Sequence, residues 1–585
     1  MGASPIFDGP GSGGSGTGYA PPPTNGQRWS VDAVADTITF NIAPEDGLEV
    51  EVIEYTPGGF NGTTVFAVGS WCTAYGFPSE VEFFANRLWF AGTPTDPQTL
   101  WGSVTDDYTN FGRSTPTVDT DAISSTVTAR RVNPIVDLIP LTSFIVLTTG
   151  GEWKLTKDQK GNVSPGVGFD PQAFCGSAPV QSIVTEDTAI LVQRQGQRVF
   201  DIGYRLDSDK FTPQEISLYA DHLVEGYSIV AMDWAPAPYK QINLVRSDGT
   251  WICCTYMPKQ EVIGWHRHDT GRDANGDGED NVIDVAVTPG DQESMVHILV
   301  KRVVDGVTRT YIEEKASYFY SDPVDWFYVD SGLTFDGRNY FPATTLSLTG
   351  GSTWAEGDEA TLEADTPIFD ANKVGDLYRL YDSSGDSVTV LVTAYVDDST
   401  LTVELQGGAP AELQDGDAES FDYGPSTITG FDHLEGRTVA VLGDGLVQTR
   451  KVVTGGSFDL DTPAFVVQAG LPYRAHLETL ELNNPGGESM RDMTKLIEGV
   501  SLLVRTTRGL KVGTTLEQDE AYLDPIQDSE FLEAGQAVNE GVTGLQRALL
   551  SSAWGENRGR IHIVSDDPVP AEVLTISPKF MASNR

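Results

Sequence analysis

Six stretches of this chain share one pattern: an apolar run of four or five residues, a short turn, and a second apolar run. They are "RLWFAGTPTDPQTLWGS" from Arg87, "FIVLTTGGEWKL" from Phe144, "AILVQRQGQRVFDIGY" from Ala189, "INLVRSDGTWICCTY" from Ile242, "HILVKRVVDGVTRTYI" from His297 and "TVAVLGDGLVQTRKV" from Thr438. Apolar runs this short, bounded by turn residues, predict β-hairpins, and Asp-Gly supplies the positive backbone angles of a tight reversal. The runs recur: Leu88 to Ile145, Ile190, Ile242 and Ile298 are steps of 57, 45, 52 and 56 residues. Those steps are close to the roughly 40–50 residues of a four-stranded propeller blade.

The next step, to Val439, is 141 residues and breaks the rhythm. Setting aside Thr344 to Gly424 restores a step of about 60. That segment is compositionally distinct, with 17 Asp and Glu against Lys373 and Arg379 between 351 and 425. Its "VTVLVTAYVDDSTLTVEL" has the strand, Asp-Asp turn and strand of a hairpin. The expected fold is therefore mainly β, a β-propeller-containing chain with an inserted acidic β-domain. Four parts follow: a flexible Gly/Ser/Pro-rich lead over 1–30, the first part of the propeller core over 31–343, the inserted domain over 344–424, and core completion with a C-terminal β-region over 425–585. Leu516 to Ala548, rich in Glu, Gln and Asp, is expected to be loop with at most one short helix. A tandem of β-sandwiches or one large irregular β-protein is the alternative architecture. The 61 Gly and 33 Pro suit short strands and tight turns in any of these.

Charge excludes one large class of function. With 84 acidic and 38 basic residues the net charge is −46, so the chain repels nucleic acid, whose binding needs clustered Lys and Arg on phosphates. Two readings of the acidity stand side by side: a hydrated surface suited to salty surroundings, and a negative wall past which a polyanion slides without sticking. No secretory signal is expected, because "MGASPIFDGPGSGG" lacks a basic segment followed by an apolar core. "MGAS" matches a myristoylation start without any second membrane signal. The longest apolar run, Pro134 to Thr149, is broken by Asp137 and Pro140 and is too short to span a bilayer. No membrane anchor is expected. The four cysteines, Cys72, Cys175, Cys253 and Cys254, have no CxxC spacing and are expected as buried free thiols.

The phrase "GFPSEVEFFANRLWFAGTPTDPQTLWGSVTDDYTNF" closely resembles a segment of the tail nozzle proteins of short-tailed, podovirus-type phages, also called tail tubular protein B or tail hub proteins. Further phrases resemble the same family in order: "GGEWKL" at Gly150, "GWHRHDT" at Gly264, "VKRVVDGVTRTYIEE" at Val300, "GLTFDG" at Gly332, "TITGFDHLEGRTVAVLGDG" at Thr427, "VVQAGLPY" at Val466, "RTTRGLKVG" at Arg505 and "VSDDPVPAEVLTISPKF" at Val564. The resemblance is collinear from about Tyr75 to Phe580. It implies a virion structural protein with a propeller-containing fold and no catalytic residues, located in the virion tail after assembly in the host cytoplasm. It further implies a homo-hexameric tube that meets a tail adaptor protein beneath the portal, with tail fibres or a tail needle as further partners. Viral double-stranded DNA would pass through it without specific binding. The sequence departs from the family in its short N-terminal lead, in the acidic insertion, and in a polar insertion after His268. Within Gly76 to Ser103, Gly-Phe-Pro is expected to set a turn, Phe83 to Phe90 to form one strand, and Pro94 and Pro97 to bend the chain toward Trp101.

The strongest ion-binding pattern is "DANGDGEDNVID". It matches the calcium-loop spacing, with oxygen ligands at Asp273, Asn275 and Asp277, a turn at Gly278, the Glu279 carbonyl and a closing carboxylate at Asp284. Calcium is the expected cofactor, stiffening the loop. The closing Asp is shorter than the usual Glu, and Asp-Gly loops are common in so acidic a chain. In "WHRHD", His266 and His268 are two apart, so on a strand both imidazoles share one face; the phrase is also ordinary scaffold, without a metal role. "RSDGTW" from Arg246 resembles the Asp turns of sialidase-like propellers and serves equally as a plain hairpin turn. No GxSxG, HExxH or GxxxxGK[ST] occurs in a supporting context. Trp71, Trp89, Trp101, Trp153, Trp234, Trp251 and Trp265 are expected in the core. A polysaccharide-degrading propeller enzyme and a protein-binding propeller scaffold are the competing functions.

Overall fold

The computed structural model describes residues 75–583 except 159–160, 272–279, 341–342, 484–489, 491–492, 515–523, 526–540 and 551–558, together with Trp71 and the hairpin of β1 (Trp29–Asp32) and β2 (Thr37–Phe40). The described residues are 52% strand and 4% helix, about twice the usual strand share, so the mainly β expectation holds. It divides into two compact units. Unit 1 is 1–268 with 284–294, and unit 2 is 269–283 with 295–585.

Unit 1 carries four sheets of four antiparallel strands, each a meander in chain order. The first holds β3 (Glu80–Phe84), β4 (Arg87–Ala91), β5 (Thr99–Gly102) and β6 (Ile123–Thr126); the second, β7 (Ile135–Pro140), β8 (Phe144–Thr148), β9 (Gly151–Leu155) and β10 (Phe169–Ala173). The third holds β11 (Ile183–Val184), β12 (Ala189–Val192), β13 (Val199–Arg205) and β14 (Lys210–Glu215). The fourth holds β15 (Ile229–Ala235), β16 (Gln241–Arg246), β17 (Trp251–Met257) and β18 (Val262–His268). In every sheet the predicted hairpin is the middle pair of strands. The reason lies in burial: β8, β12 and β16 are buried at every residue, so in β8 and β12 the sequence shows nearly unbroken apolar runs instead of alternation, while β16 buries Gln241, Asn243 and Arg246 beside its apolar residues.

Consecutive sheets pack face to face through separate apolar clusters. Trp89, Leu100 and Ile123 meet Leu138, Phe144 and Val146 between the first and second sheets. Ile145 and Leu147 meet Leu191, Ile202 and Phe211 between the second and third, and Ile190 and Val199 meet Leu244, Ile252 and Cys254 between the third and fourth. Four such sheets in series are shown; closure of a propeller ring is not. One expectation fails. Phe83 to Phe90 is two strands, because Ala85 and Asn86 both take positive φ, 51° and 55°, and reverse the chain in two residues, as the twist of paired strands favours. Next to that turn Arg87 is buried, its guanidinium donating to the backbone carbonyls of Ser103, Asp121, Asp119 and Val163.

Strand β19 (Asn281–Pro289) begins in unit 2 and ends in unit 1. Within unit 2, β20 (Ser294–Val304) and β21 (Val307–Glu314) form a hairpin across Asp305 and Gly306, both at positive φ. Strand β22 (Asp330–Asp336) then leads to a seven-stranded antiparallel sheet of β23 (Leu346–Thr349), β24 (Glu359–Ala364), β25 (Leu377–Tyr381), β26 (Ser387–Asp397), β27 (Thr400–Leu405), β28 (Gly416–Asp417) and β29 (Ser420–Gly424), in the order β28-β23-β24-β27-β26-β25-β29. The edge strands β28 and β29 are joined by Ala418 and Glu419 alone. The three Cα–Cα steps from Asp417 to Ser420 span about 11 Å at most, so the sheet must curl to bring its two edges near each other, around its own core of Leu362, Tyr378, Val390 and Val403.

Beyond the module, β30 (Thr427–Thr429) pairs with β33 (Ser457–Asp459), while β31 (Thr438–Gly443), β32 (Leu446–Val452) and β34 (Val466–Leu471) join β22 in the order β22-β34-β31-β32. The seven-stranded module thus interrupts a sheet whose strands lie on either side of it in sequence. The C-terminal part has two sheets around Val500, Leu502 and Ile563: β35 (Ala475–Glu478), β40 (His562–Ser565), β37 (Leu510–Gly513) and β38 (Asp524–Pro525), then β39 (Val542–Leu549), β36 (Thr494–Thr507) and β41 (Glu572–Ser583). Most of 516–548, expected as loop, lies outside the described residues; its end is strand β39.

One ionic cluster sits inside unit 2. Arg302 lies on the buried face of β20 between Val300 and Val304 and is fully buried. Its Nε and Nη2 donate to the two oxygens of Glu313 at 2.6 Å each, and Nη1 donates to Asp280 Oδ2 at 3.0 Å and to the Thr270 carbonyl at 3.1 Å. Arg437 donates to the same Asp280 oxygen at 3.1 Å and to the Gly271 carbonyl at 2.7 Å. Two arginines therefore clamp both ends of the segment running from 271 to 280.

Candidate metal centre

The calcium pattern lies almost wholly outside the described residues: Asp273, Asn275, Asp277 and Glu279 are not described. Asp284 is, as an exposed residue of β19 whose Oδ1 accepts from Val285 N at 2.9 Å. Asp280, absent from the expected ligand set, is the carboxylate engaged by Arg302 and Arg437.

A different group comes together in the fourth sheet of unit 1. A turn over Pro258 to Glu261 fixes the register of β17 on β18, pairing Cys253 with His266 and Trp251 with His268. Residues directly opposite in an antiparallel pair share a face, and so do residues two apart. The thiol of Cys253 and the imidazoles of His266 and His268 therefore emerge on one side, each offering a ligand atom, all within 4.8 Å of one another. Cys253 is buried, His268 half-buried and His266 exposed, so the group runs from core to solvent. Trp251 stacks on the His268 ring, centroids 4.1 Å apart, and the two imidazoles meet edge-on at 5.0 Å.

The same row continues across the sheet, pairing Cys253 with Asn243 and Asn243 with Asp233. Cys253 Sγ donates to Asn243 Oδ1 at 3.2 Å. The Asn243 side chain is fully buried, and among the described residues its Nδ2 has no hydrogen-bond partner. Asp233 accepts from Trp234 N at 2.7 Å and from Val287 N at 2.6 Å, both oxygens engaged. Cys254, one residue on, points to the opposite face and into the apolar cluster, where burial pushes its thiol pKa up. The adjacent cysteines thus have unlike surroundings. Sequence reasoning set the two histidines together and missed Cys253, whose partner strand depends on where the intervening turn falls.

Other sites read from sequence resolve as scaffold. In "RSDGTW", Asp248 is held by the Arg246 guanidinium, with Nε to Oδ1 at 3.0 Å, and by the Thr250 hydroxyl at 2.9 Å, while Arg246 itself covers the Tyr227 ring. Trp89, Trp101, Trp153 and Trp251 are buried and Trp234 and Trp265 pack on the core, as expected. Cys175 is a half-buried free thiol, and Cys72 lies outside the described residues. A shallow pocket lined by Glu186, Asp187, Lys240, Tyr256 and Lys259 has its cations matched by its anions, with Lys259 at 2.7 Å from Asp187.

Glu80 is the one strongly shifted carboxyl in the first sheet: burial, and then the charge of Asp137, raise it to about 7. A carboxyl with a raised folded-state pKa binds more protons folded than unfolded between about pH 4.5 and 7, so it costs stability as pH rises through that window. Glu80→Gln is therefore expected to gain stability relative to the parent chain across pH 4.5–7 and to hold that gain above it; thermal melts at matched pH read the difference, and a pH-independent difference contradicts it.

No family model matches this chain, and no curated protein matches it. Among solved structures, a protein from Lactobacillus plantarum is similar at 10% identity, covering 68% of this chain and 94% of that one, with a TM-score of 0.27. A luciferin-regenerating enzyme is similar at 10% identity, covering 38% and 84% of the two chains, with a TM-score of 0.17. Likenesses this slight transfer neither a fold nor an activity. Among the described residues, no helix is long and apolar enough to cross a membrane.

Proposed function

We propose that this chain is the structural subunit of a phage tail nozzle: a virion protein, without catalysis, six copies of which form a ring whose channel carries the genome out beneath the portal and adaptor. The observation that carries the reading is where the family-like phrases fall. "RLWFAGTPTDPQTLWGS" is β4 and β5, "VKRVVDGVTRTYIEE" the β20–β21 hairpin with its buried Arg302 paired to a half-buried Glu313, "TITGFDHLEGRTVAVLGDG" β30 and β31, and "VSDDPVPAEVLTISPKF" β40 and β41. They are strands, tight turns and an arginine buried against its carboxylate partner, as a scaffold requires.

The net charge of −46 supports an acidic lumen. Carboxylates facing the channel repel phosphates, so duplex DNA passes without adhering. Closed cyclic symmetry needs two unlike surfaces on each subunit, one for each neighbour. Closure of the sheet series into a propeller belongs to this reading. So does calcium at the Asp273 to Asp284 loop, which rests on its oxygen spacing; a calorimetric titration with calcium that shows no heat removes that part.

The test is the mass of the assembled protein. Native mass spectrometry is expected to give six copies, and negative-stain images are expected to show rings with a central hole. A chain that stays monomeric at high concentration and degrades surface polysaccharide overturns the proposal.

A further inference from the structure

We propose that Cys253, His266 and His268 bind one zinc ion, through Sγ and one imidazole nitrogen of each histidine, with solvent as the fourth ligand. The inference is independent of the nozzle reading. One thiolate and two imidazoles are the donors that borderline metals such as Zn²⁺ select, whereas calcium and magnesium take oxygen. The ligand atoms lie within 4.8 Å of one another. A tetrahedral zinc site, with Zn–S about 2.3 Å and Zn–N about 2.0 Å, spaces its ligand atoms about 3.3–3.6 Å apart. Closing that difference takes side-chain rotation of roughly an ångström, with no movement of the paired strands. The exposure of His266 leaves the outer side open to water.

The buried amide beside the thiol is the second, independent observation. As a thiol, Cys253 donates to Asn243 Oδ1, and the fully buried Nδ2 is left with no partner among the described residues. Zinc binding releases the thiol proton to solvent and turns sulfur into an acceptor. Rotating the Asn243 amide by half a turn then places Nδ2–H on the thiolate, a contact of the kind that supports metal ligands from outside. Trp251, stacked on His268, holds one ligand ring in place before the ion arrives. The ion would tie β18 to β17 at the end where the chain leaves unit 1.

The experiment uses the full-length, untagged chain, stripped with a chelator and titrated with Zn²⁺ for stoichiometry and with Co²⁺ as a spectroscopic probe. One ion per chain is expected, with a thiolate-to-cobalt charge-transfer band that millimolar calcium does not displace. The band should vanish in Cys253→Ser and persist in Cys175→Ser. His266→Gln, on an exposed residue, covers the case in which Cys253→Ser misfolds: its circular dichroism should match the parent while zinc affinity falls further than the roughly 10–100-fold expected for Asn243→Ala. A stripped chain that takes up neither ion overturns the site. So does a charge-transfer band that survives Cys253→Ser, or an unchanged zinc affinity in His266→Gln.

Discussion

Arg302→Ala is expected to destabilise unit 2 by about 3–5 kcal/mol, the cost of removing one partner from a buried ionic group. The guanidinium is fully buried and binds Glu313 through two parallel hydrogen bonds of 2.6 Å. Its removal leaves Glu313 partly desolvated without a counter-charge, and Asp280 with Arg437 alone. Burying a charge unpaired costs far more than the pair itself contributes, so the loss exceeds that of any surface ion pair in the chain. Arg302→Lys keeps the charge and loses the fork, so it should fall between the parent and alanine. Urea unfolding followed by amide exchange on β20 and β21 reads the effect. A loss below about 1 kcal/mol, the range of an exposed pair, contradicts this account.

Gly337→Ala should be nearly as damaging for a steric reason. A Cβ at that position would stand 1.8 Å from the Tyr423 carbonyl oxygen and 2.9 Å from that of Phe465. Both obstacles are backbone, and both are tied to Gly337: its N–H donates to the Phe465 carbonyl at 2.8 Å and its carbonyl accepts from Tyr423 N at 2.8 Å. The glycine stands where the chain enters the seven-stranded module, Tyr423 where it leaves, and Phe465 at the head of β34. No side chain can rotate away to relieve the contact, so the strands must part and both hydrogen bonds lengthen. A loss of about 3 kcal/mol or more is expected, at the upper end for overpacked sites, together with faster amide exchange at Tyr423. An alanine variant that melts with the parent chain would show that the three segments do not meet this closely.

The hairpins were legible because their causes are local. Asp305-Gly306 and Asp444-Gly445 reverse the chain with both residues at positive φ, and Asp-Gly encodes that geometry within two residues. Ala85-Asn86 does the same without a Gly, so two strands were read as one. The acidic segment could be marked off by charge, but its curled seven-stranded order, with neighbours in sequence at opposite edges, follows from pairings no local pattern records.

The candidate site divides in the same way. That His266 and His268 share a face follows from the alternation of a strand. That Cys253 joins them depends on the register of β17 on β18, set by the Pro258 to Glu261 turn, and that Asn243 backs the thiol depends on a third strand.

By itself, then, the sequence determined a mainly β chain of repeated hairpins and its acidic character, since turn chemistry, strand alternation and net charge act over a few residues or none. Tertiary structure alone decided which polar groups meet inside. Arg437 reaches Asp280 across 157 positions and Arg302 reaches Thr270 across 32, because buried charges must find partners wherever the packed strands bring them together.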